Sequence, residues 1–117
     1  MSGTTPIETA LLVDDDHAFR TTMQSALRRR GIRACTAATV EEGLIQLEEQ
    51  PVDLVVLDHR LPQGDGLSAL ESFRRRCPGA VIVMLTGHGD IPLAVVAIRR
   101  GADLFMMKPV EVDRLLA

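Results

Sequence analysis

The chain has 117 residues, room for one domain and little more, and hydrophobic residues make up 46% of it, enough for a sizeable core. Aromatic residues are only 3%, so stacking platforms for bases or flavin rings are nearly excluded: Phe19, Phe73 and Phe105 are the only rings of that kind. A net charge of -3 gives no electrostatic footprint for nucleic acid or an anionic membrane surface.

The opening residues are polar and lack the basic-then-apolar pattern of a secretory signal. Residues 7–13 read as a strand. Residues 17–30 read as a helix with Phe19, Met23, Ala26 and Leu27 on one face, stopped by Gly31. A short second strand covers 32–36. Thr39 and Glu42 have capping-box spacing ahead of Leu44 and Leu47, so a second helix starts there and ends near Pro51. Residues 52–57 are apolar except for Asp53, as expected of a strand buried on both faces. Residues 61–65 carry Pro and Gly and read as a loop. A third helix follows over 66–76, closed by Pro78. Another apolar strand spans 80–85, and a loop spans 86–90, with Asp90 placed to cap a helix over 91–100 that stops at Gly101. The last strand is 103–107, and a final helix begins at Glu111. No run is long enough to span a membrane. Cys35 and Cys77 have no metal-ligand spacing and read as reduced thiols of a cytoplasmic protein.

Strands alternating with helices imply a doubly wound parallel sheet with helices on both faces. In such sheets ligands bind at the carboxyl ends of the strands, beside the topological switch point. The polar residues there are few. Strand one ends in Asp14, Asp15 and Asp16, strand three in Asp58, strand four in Thr86, and strand five in Lys108 followed by Pro109. The flavodoxin-like strand order 2-1-3-4-5 would crowd the carboxylates of strands one and three into one cleft. Crowded carboxylates repel unless a cation intervenes, and hard oxygen ligands suit Mg2+. One ammonium and one hydroxyl beside such a site match phosphoryl transfer, with a carboxylate able to serve as nucleophile.

The segments LLVDDD, VVLDHRLPQGDGL, VIVMLTGHGD and GADLFMMKP together resemble the response-regulator receiver family, in order and over almost the whole chain. The resemblance implies that Asp58 is the phosphoacceptor. It implies that Asp14 and Asp15 bind Mg2+ (Mn2+ as an alternative) together with Asp58 and the backbone carbonyl of Arg60. Thr86 and Lys108 correspond to the hydroxyl and ammonium that contact the phosphoryl group, and backbone amides near Arg60 and Gly87 are expected to reach its remaining oxygens. Phe105 matches the family's aromatic switch, which alters the face of helix four, strand five and helix five. The Lys108–Pro109 bond matches one usually cis. Side chains at the positions of Arg60 and His88 tune acyl-phosphate hydrolysis in the family, and the bulk of Arg60 is expected to hinder water. The implied partners are a histidine kinase, an output domain in the same full-length chain or a downstream protein, and a phosphorylation-dependent second copy. The expectation is a signalling switch, capable only of self-phosphorylation and slow autodephosphorylation. The motifs LTGHGDIP and PQGDGL most resemble receivers of DNA-binding transcription regulators. Residues 1–117 then form one receiver domain, the N-terminal part of a larger regulator, with its last helix truncated at Ala117. Leu104 stands where an acidic residue is common, and Met106 and Met107 follow the aromatic position.

Other readings are weaker. A phosphatase or phosphotransferase turning over on Asp58 usually needs an acid/base carboxylate two residues on, where Arg60 stands. A small flavin-binding domain would need a phosphate loop where Asp14 to Asp16 would repel the phosphate. Asp16 reads as a helix cap. The histidines His17, His59 and His88 are scattered without ligand spacing. The arginine runs at 28–30, 74–76 and 99–100 fall at predicted helix carboxyl ends, where cations complement the macrodipole.

Overall fold

A strand with parallel neighbours on both edges and helices on both faces has no solvent side, which requires an apolar residue at every interior position. The computed structural model, which describes residues 6–61, 64–87 and 91–116, shows that environment at the centre of the sheet. The elements are β1 (Thr9–Val13), α1 (His17–Arg29), β2 (Arg33–Ala37), α2 (Val40–Glu49), β3 (Leu54–Asp58), α3 (Gly66–Arg76), β4 (Val81–Thr86), α4 (Ile91–Arg99), β5 (Leu104–Met107) and α5 (Val112–Leu116). The five strands form one parallel sheet in the order β2-β1-β3-β4-β5, as the sequence implied.

Side chains alternate across the sheet with a period of two. Leu11, Val13, Val55, Leu57, Ile82 and Met84 face one way, onto Leu47 of α2, Leu70 and Phe73 of α3, and Ala97 of α4. Leu12, Leu54, Val56, Val83 and Leu85 face the other way, onto Met23 and Leu27 of α1 and Leu115 of α5. Full burial of each such side chain contributes about 1.5–3 kcal/mol, so the central strands anchor the fold.

Every strand of the sheet starts one or two residues later than the sequence pattern suggests, and the polar residues Asp58 and Thr86 belong to the ladder, opposite Leu85 and Met107. Pairing register, not hydrophobicity, sets those ends. The expected loop at 61–65 contains a further difference, a short antiparallel ladder between Arg60–Leu61 and Gly64–Asp65. Asp53 interrupts the start of β3 for a reason: its Oδ2 accepts the amides of Glu8 (2.9 Å) and Thr9 (3.2 Å), fastening β1 to β3 at their amino ends.

The helix starts follow the expected chemistry. Asp16 caps α1 by accepting the Phe19 amide at 3.2 Å. Thr39 caps α2 through the Glu42 amide at 3.1 Å, while Glu42 reaches back to the amide of Ala38 rather than to that of the cap itself. Gly31 ends α1 at a φ of 78°, a left-handed conformation that favours glycine. The cap expected of Asp90 lies outside the described residues. Arg74 does more than complement a helix dipole. Its guanidinium donates to the carbonyls of Gly101 (2.7 and 3.1 Å), Ala80 (2.7 Å) and Pro78 (3.1 Å) and pairs with Asp103 at 2.6 Å. Asp103 also accepts the Ile82 amide at 2.8 Å, so this network fixes α3, β4 and the α4–β5 turn at the amino end of the sheet. The opposite, carboxyl end is left to hold the polar residues.

Candidate functional site

Adjacent parallel strands in register deliver their last residues to one level. Val13 pairs with Leu57, so Asp14 and Asp58 emerge side by side. The Asp14 amide continues the ladder by donating to the Ala37 carbonyl at 3.1 Å, and the Lys108 amide does the same to the Thr86 carbonyl at 2.8 Å. Asp58 therefore ends a strand, and Asp14 and Lys108 each stand one residue beyond one, held there by a backbone hydrogen bond to the neighbouring strand.

The carboxylates of Asp14, Asp15 and Asp58 each offer an oxygen within 4.8 Å of the others, and among the described residues this is the one cluster of its kind. Asp14 is 2% exposed and Asp58 7% exposed, while Asp15 opens to solvent. Lys108 reaches over the cleft, its Nζ 2.7 Å from Asp14 Oδ2 and 3.8 Å from Asp58 Oδ1. The other oxygen of Asp14 accepts the Asp16 amide at 2.9 Å, and the carbonyl of Asp14 accepts Arg20 Nη1 at 2.6 Å. Asp58 Oδ1 accepts the Arg60 amide at 3.4 Å.

Burial, with the Asp14 charge beside it, pushes the Asp58 carboxyl up from the ordinary 3.8 to about 6, against the opposing pull of Lys108 and the Arg60 amide. Burial depresses the Lys108 ammonium, but the Asp14 hydrogen bond and the charges of Asp14, Asp58 and Asp16 outweigh it and leave the group above its ordinary value. Three carboxylates against one ammonium leave the cleft short of positive charge. An all-oxygen donor set, open to water on the Asp15 side, fits a small hard divalent cation.

Thr86 is 1% exposed at the end of β4, and Gly87 beside it is exposed. Phe105 does not enter the cleft. It is half-buried on the sheet face covered by α2, α3 and α4. The Lys108–Pro109 peptide is cis. Arg60 is exposed, and His88 lies outside the described residues. His17 sits at the surface with Nδ1 3.4 Å from Arg20 Nη2 and is not part of the clustered ligand set. Sequence reasoning placed Phe19 on the core side of α1 and stopped there. The structure puts its ring centroid 4.7 Å from Lys108 Nζ. Lys108, which the sequence reading placed in the site, is also the only lysine of the chain, whose other twelve fixed cations are all arginine. Arg20, which holds the Asp14 backbone, had no signal in the sequence.

Known proteins resemble this chain in sequence and in fold. A family model described as the response regulator receiver domain matches residues 10–117. The photosynthetic apparatus regulatory protein RegA of Rhodobacter capsulatus is 41% identical over 103 residues, covering 88% of this chain and 56% of that protein. A crystal structure of a response regulator from Burkholderia pseudomallei with a phosphorylated aspartic acid, calcium ion and citrate superposes with a TM-score of 0.91 at 32% identity, covering 94% of this chain and 65% of that one. The beryllofluoride-activated NtrC4 receiver domain dimer superposes with a TM-score of 0.86 at 33% identity, covering 92% and 89%. The chain spans about half the length of the curated relatives it matches.

Proposed function

Because the chain belongs to the response-regulator receiver family of two-component signalling, we propose that Asp58 accepts a phosphoryl group from the phosphohistidine of a partner kinase. The observation that carries this reading is the placement of Asp58: a buried carboxylate at a strand end, beside two further carboxylates and 3.8 Å from an ammonium. One Asp58 oxygen forms the bond to phosphorus as the bond from phosphorus to the histidine nitrogen breaks, and the imidazole keeps that electron pair. Asp14, Asp15 and Asp58, with the Arg60 carbonyl, would hold the divalent cation, which we assign as Mg2+ with Mn2+ as the alternative, and which supplies positive charge to the transferring group. Lys108 neutralises the phosphoryl oxygens from the other side, and the Thr86 hydroxyl and Gly87 amide complete their hydrogen bonds.

The domain is a switch rather than a turnover enzyme. It phosphorylates itself from small donors and loses the group slowly, at a rate set by the side chains of Arg60 and His88. Movement of Thr86 toward the phosphoryl group frees space for Phe105, and the face formed by α4, β5 and α5 shifts between two packed states. That face carries exposed Ile91 (80%), Val95 (43%), Ile98 (47%), Leu104 (43%) and Met107 (54%). So much apolar surface suits contact with a second phosphorylated copy or with an output domain. We assign residues 1–117 as the receiver part of a longer cytoplasmic regulator whose output is transcriptional and whose DNA contacts lie outside this domain. Among the described residues no helix is long and apolar enough to cross a membrane. The test is intact mass after incubation with acetyl phosphate and Mg2+. The wild type gains one phosphoryl group and Asp58→Asn gains none; equal labelling of the two rejects the assignment.

A further inference from the structure

The ammonium of Lys108 has three partners of different kinds: Asp14 Oδ2 at 2.7 Å, Asp58 Oδ1 at 3.8 Å and the Phe19 ring at 4.7 Å from its centroid. The two carboxylates also belong to the cluster able to hold a divalent cation. Asp14 accepts the Asp16 amide with one oxygen at 2.9 Å and the Lys108 ammonium with the other at 2.7 Å, so a cation bound by this carboxylate shares it with Lys108. A divalent ion competes for that carboxylate more strongly than an ammonium and repels the ammonium as well. Lysine is a charge on a flexible four-carbon stem, and this side chain is 24% exposed, so a displaced ammonium has open water to move into. The phosphoryl chemistry needs it to stay.

We propose that Phe19 is a positioning residue for Lys108, its ring face retaining the ammonium at the cleft when a divalent cation draws Asp14 and Asp58 to itself. This rests on the reading of the cleft given above. An aromatic face attracts a cation through its quadrupole and offers no lone pair to a hard metal, so the ion that takes the carboxylates does not take the ring. The ring's place does not depend on what the cleft holds. Asp16 caps the first turn of α1 through the Phe19 amide at 3.2 Å, and the half-buried ring packs against the core face that contains Met23 and Leu27. A contact of this type shifts the population of the held ammonium by about two- to thirtyfold.

One lysine in the chain makes the test direct, because 13C-lysine labelling yields a single set of side-chain signals. In the wild type the ε-methylene protons of Lys108 resonate upfield, shifted by the ring current. They stay upfield when Mg2+ is saturating and when beryllofluoride is added. Phe19→Leu abolishes the upfield shift and slows labelling by acetyl phosphate at saturating Mg2+ by about two- to thirtyfold, with a smaller change in the Mg2+ dissociation constant. Phe19→Tyr restores both the shift and the rate. The proposal fails if the wild-type signals return to the free-lysine position on Mg2+ saturation, a result that needs no variant to fold. It also fails if folded Phe19→Leu is labelled as fast as the wild type. If the wild type takes no phosphoryl group at Asp58, the reading of the whole site fails. If the wild type is labelled at Asp58 and Phe19→Leu matches its rate, only the role of Phe19 is lost.

Discussion

Asp58→Asn should stabilise the metal-free domain. A carboxyl that titrates near 3.8 in the unfolded chain and near 6 in the fold prefers its proton when folded. Ionising it in the native cleft therefore costs about 3 kcal/mol at neutral pH. The folded pKa is the higher one, so the wild type suffers no penalty below about pH 3.8. It loses stability as the pH rises through about 6, and the loss then levels off. Asparagine removes the charge and keeps an oxygen for the Arg60 amide. Lys108 is not orphaned, because its 2.7 Å contact with Asp14 remains. The variant should exceed the wild type by about 3 kcal/mol near pH 7.5 in chelator. For a domain of this size that is a rise in Tm of roughly 10 °C. Most of the gap should open between pH 4 and 6. Added Mg2+ should then stabilise the wild type more than the variant and narrow the gap. Urea denaturation of both proteins across that pH range, with and without Mg2+, measures each quantity. A variant less stable than the wild type at neutral pH in chelator, or a gap that does not change with pH, would refute the electrostatic account of the cleft.

Three further outcomes are expected. Arg74→Gln breaks the network that joins α3 to the α4–β5 turn, and should lower stability by about 2–4 kcal/mol in urea denaturation; a loss under about 0.5 kcal/mol would mean that the guanidinium is dispensable. Arg60→Ala should shorten the acyl-phosphate lifetime severalfold by opening a path for water, read as loss of the phosphorylated mass over time, and an equal or longer lifetime contradicts this. Ile91→Asp on the exposed face of α4 should weaken self-association in beryllofluoride, measured by light scattering after size exclusion, without changing the rate of labelling by acetyl phosphate; an unchanged oligomer would remove α4 from the interface.

What the sequence made legible was local or periodic. Apolar runs separated by helix-period segments yielded the five strands; likeness to the flavodoxin-like strand order then set the level at which Asp14, Asp58, Thr86 and Lys108 gather, because a parallel sheet brings strand ends together. What stayed hidden depends on contacts across the fold. Asp58 and Thr86 look like the first loop residues, yet the ladder runs through them, since register and not polarity decides pairing. Asp53 resembles a flaw in an apolar run until the amides of Glu8 and Thr9, more than forty residues earlier, are seen bonded to it. Arg74 sits among three arginines that pattern alone cannot tell apart; only one of them faces the Gly101 carbonyl. Phe19 reads as ordinary core because a helix period reports burial and not what lies over the ring.

The assignment of the acyl phosphate can be tested chemically at the atom concerned. Borohydride reduces an aspartyl phosphate to homoserine, and peptide mass mapping then locates the product along the chain. After acetyl phosphate and Mg2+, the account predicts homoserine at position 58 alone. Homoserine at position 14 or 15, or none in a protein that has gained phosphoryl mass, would contradict it.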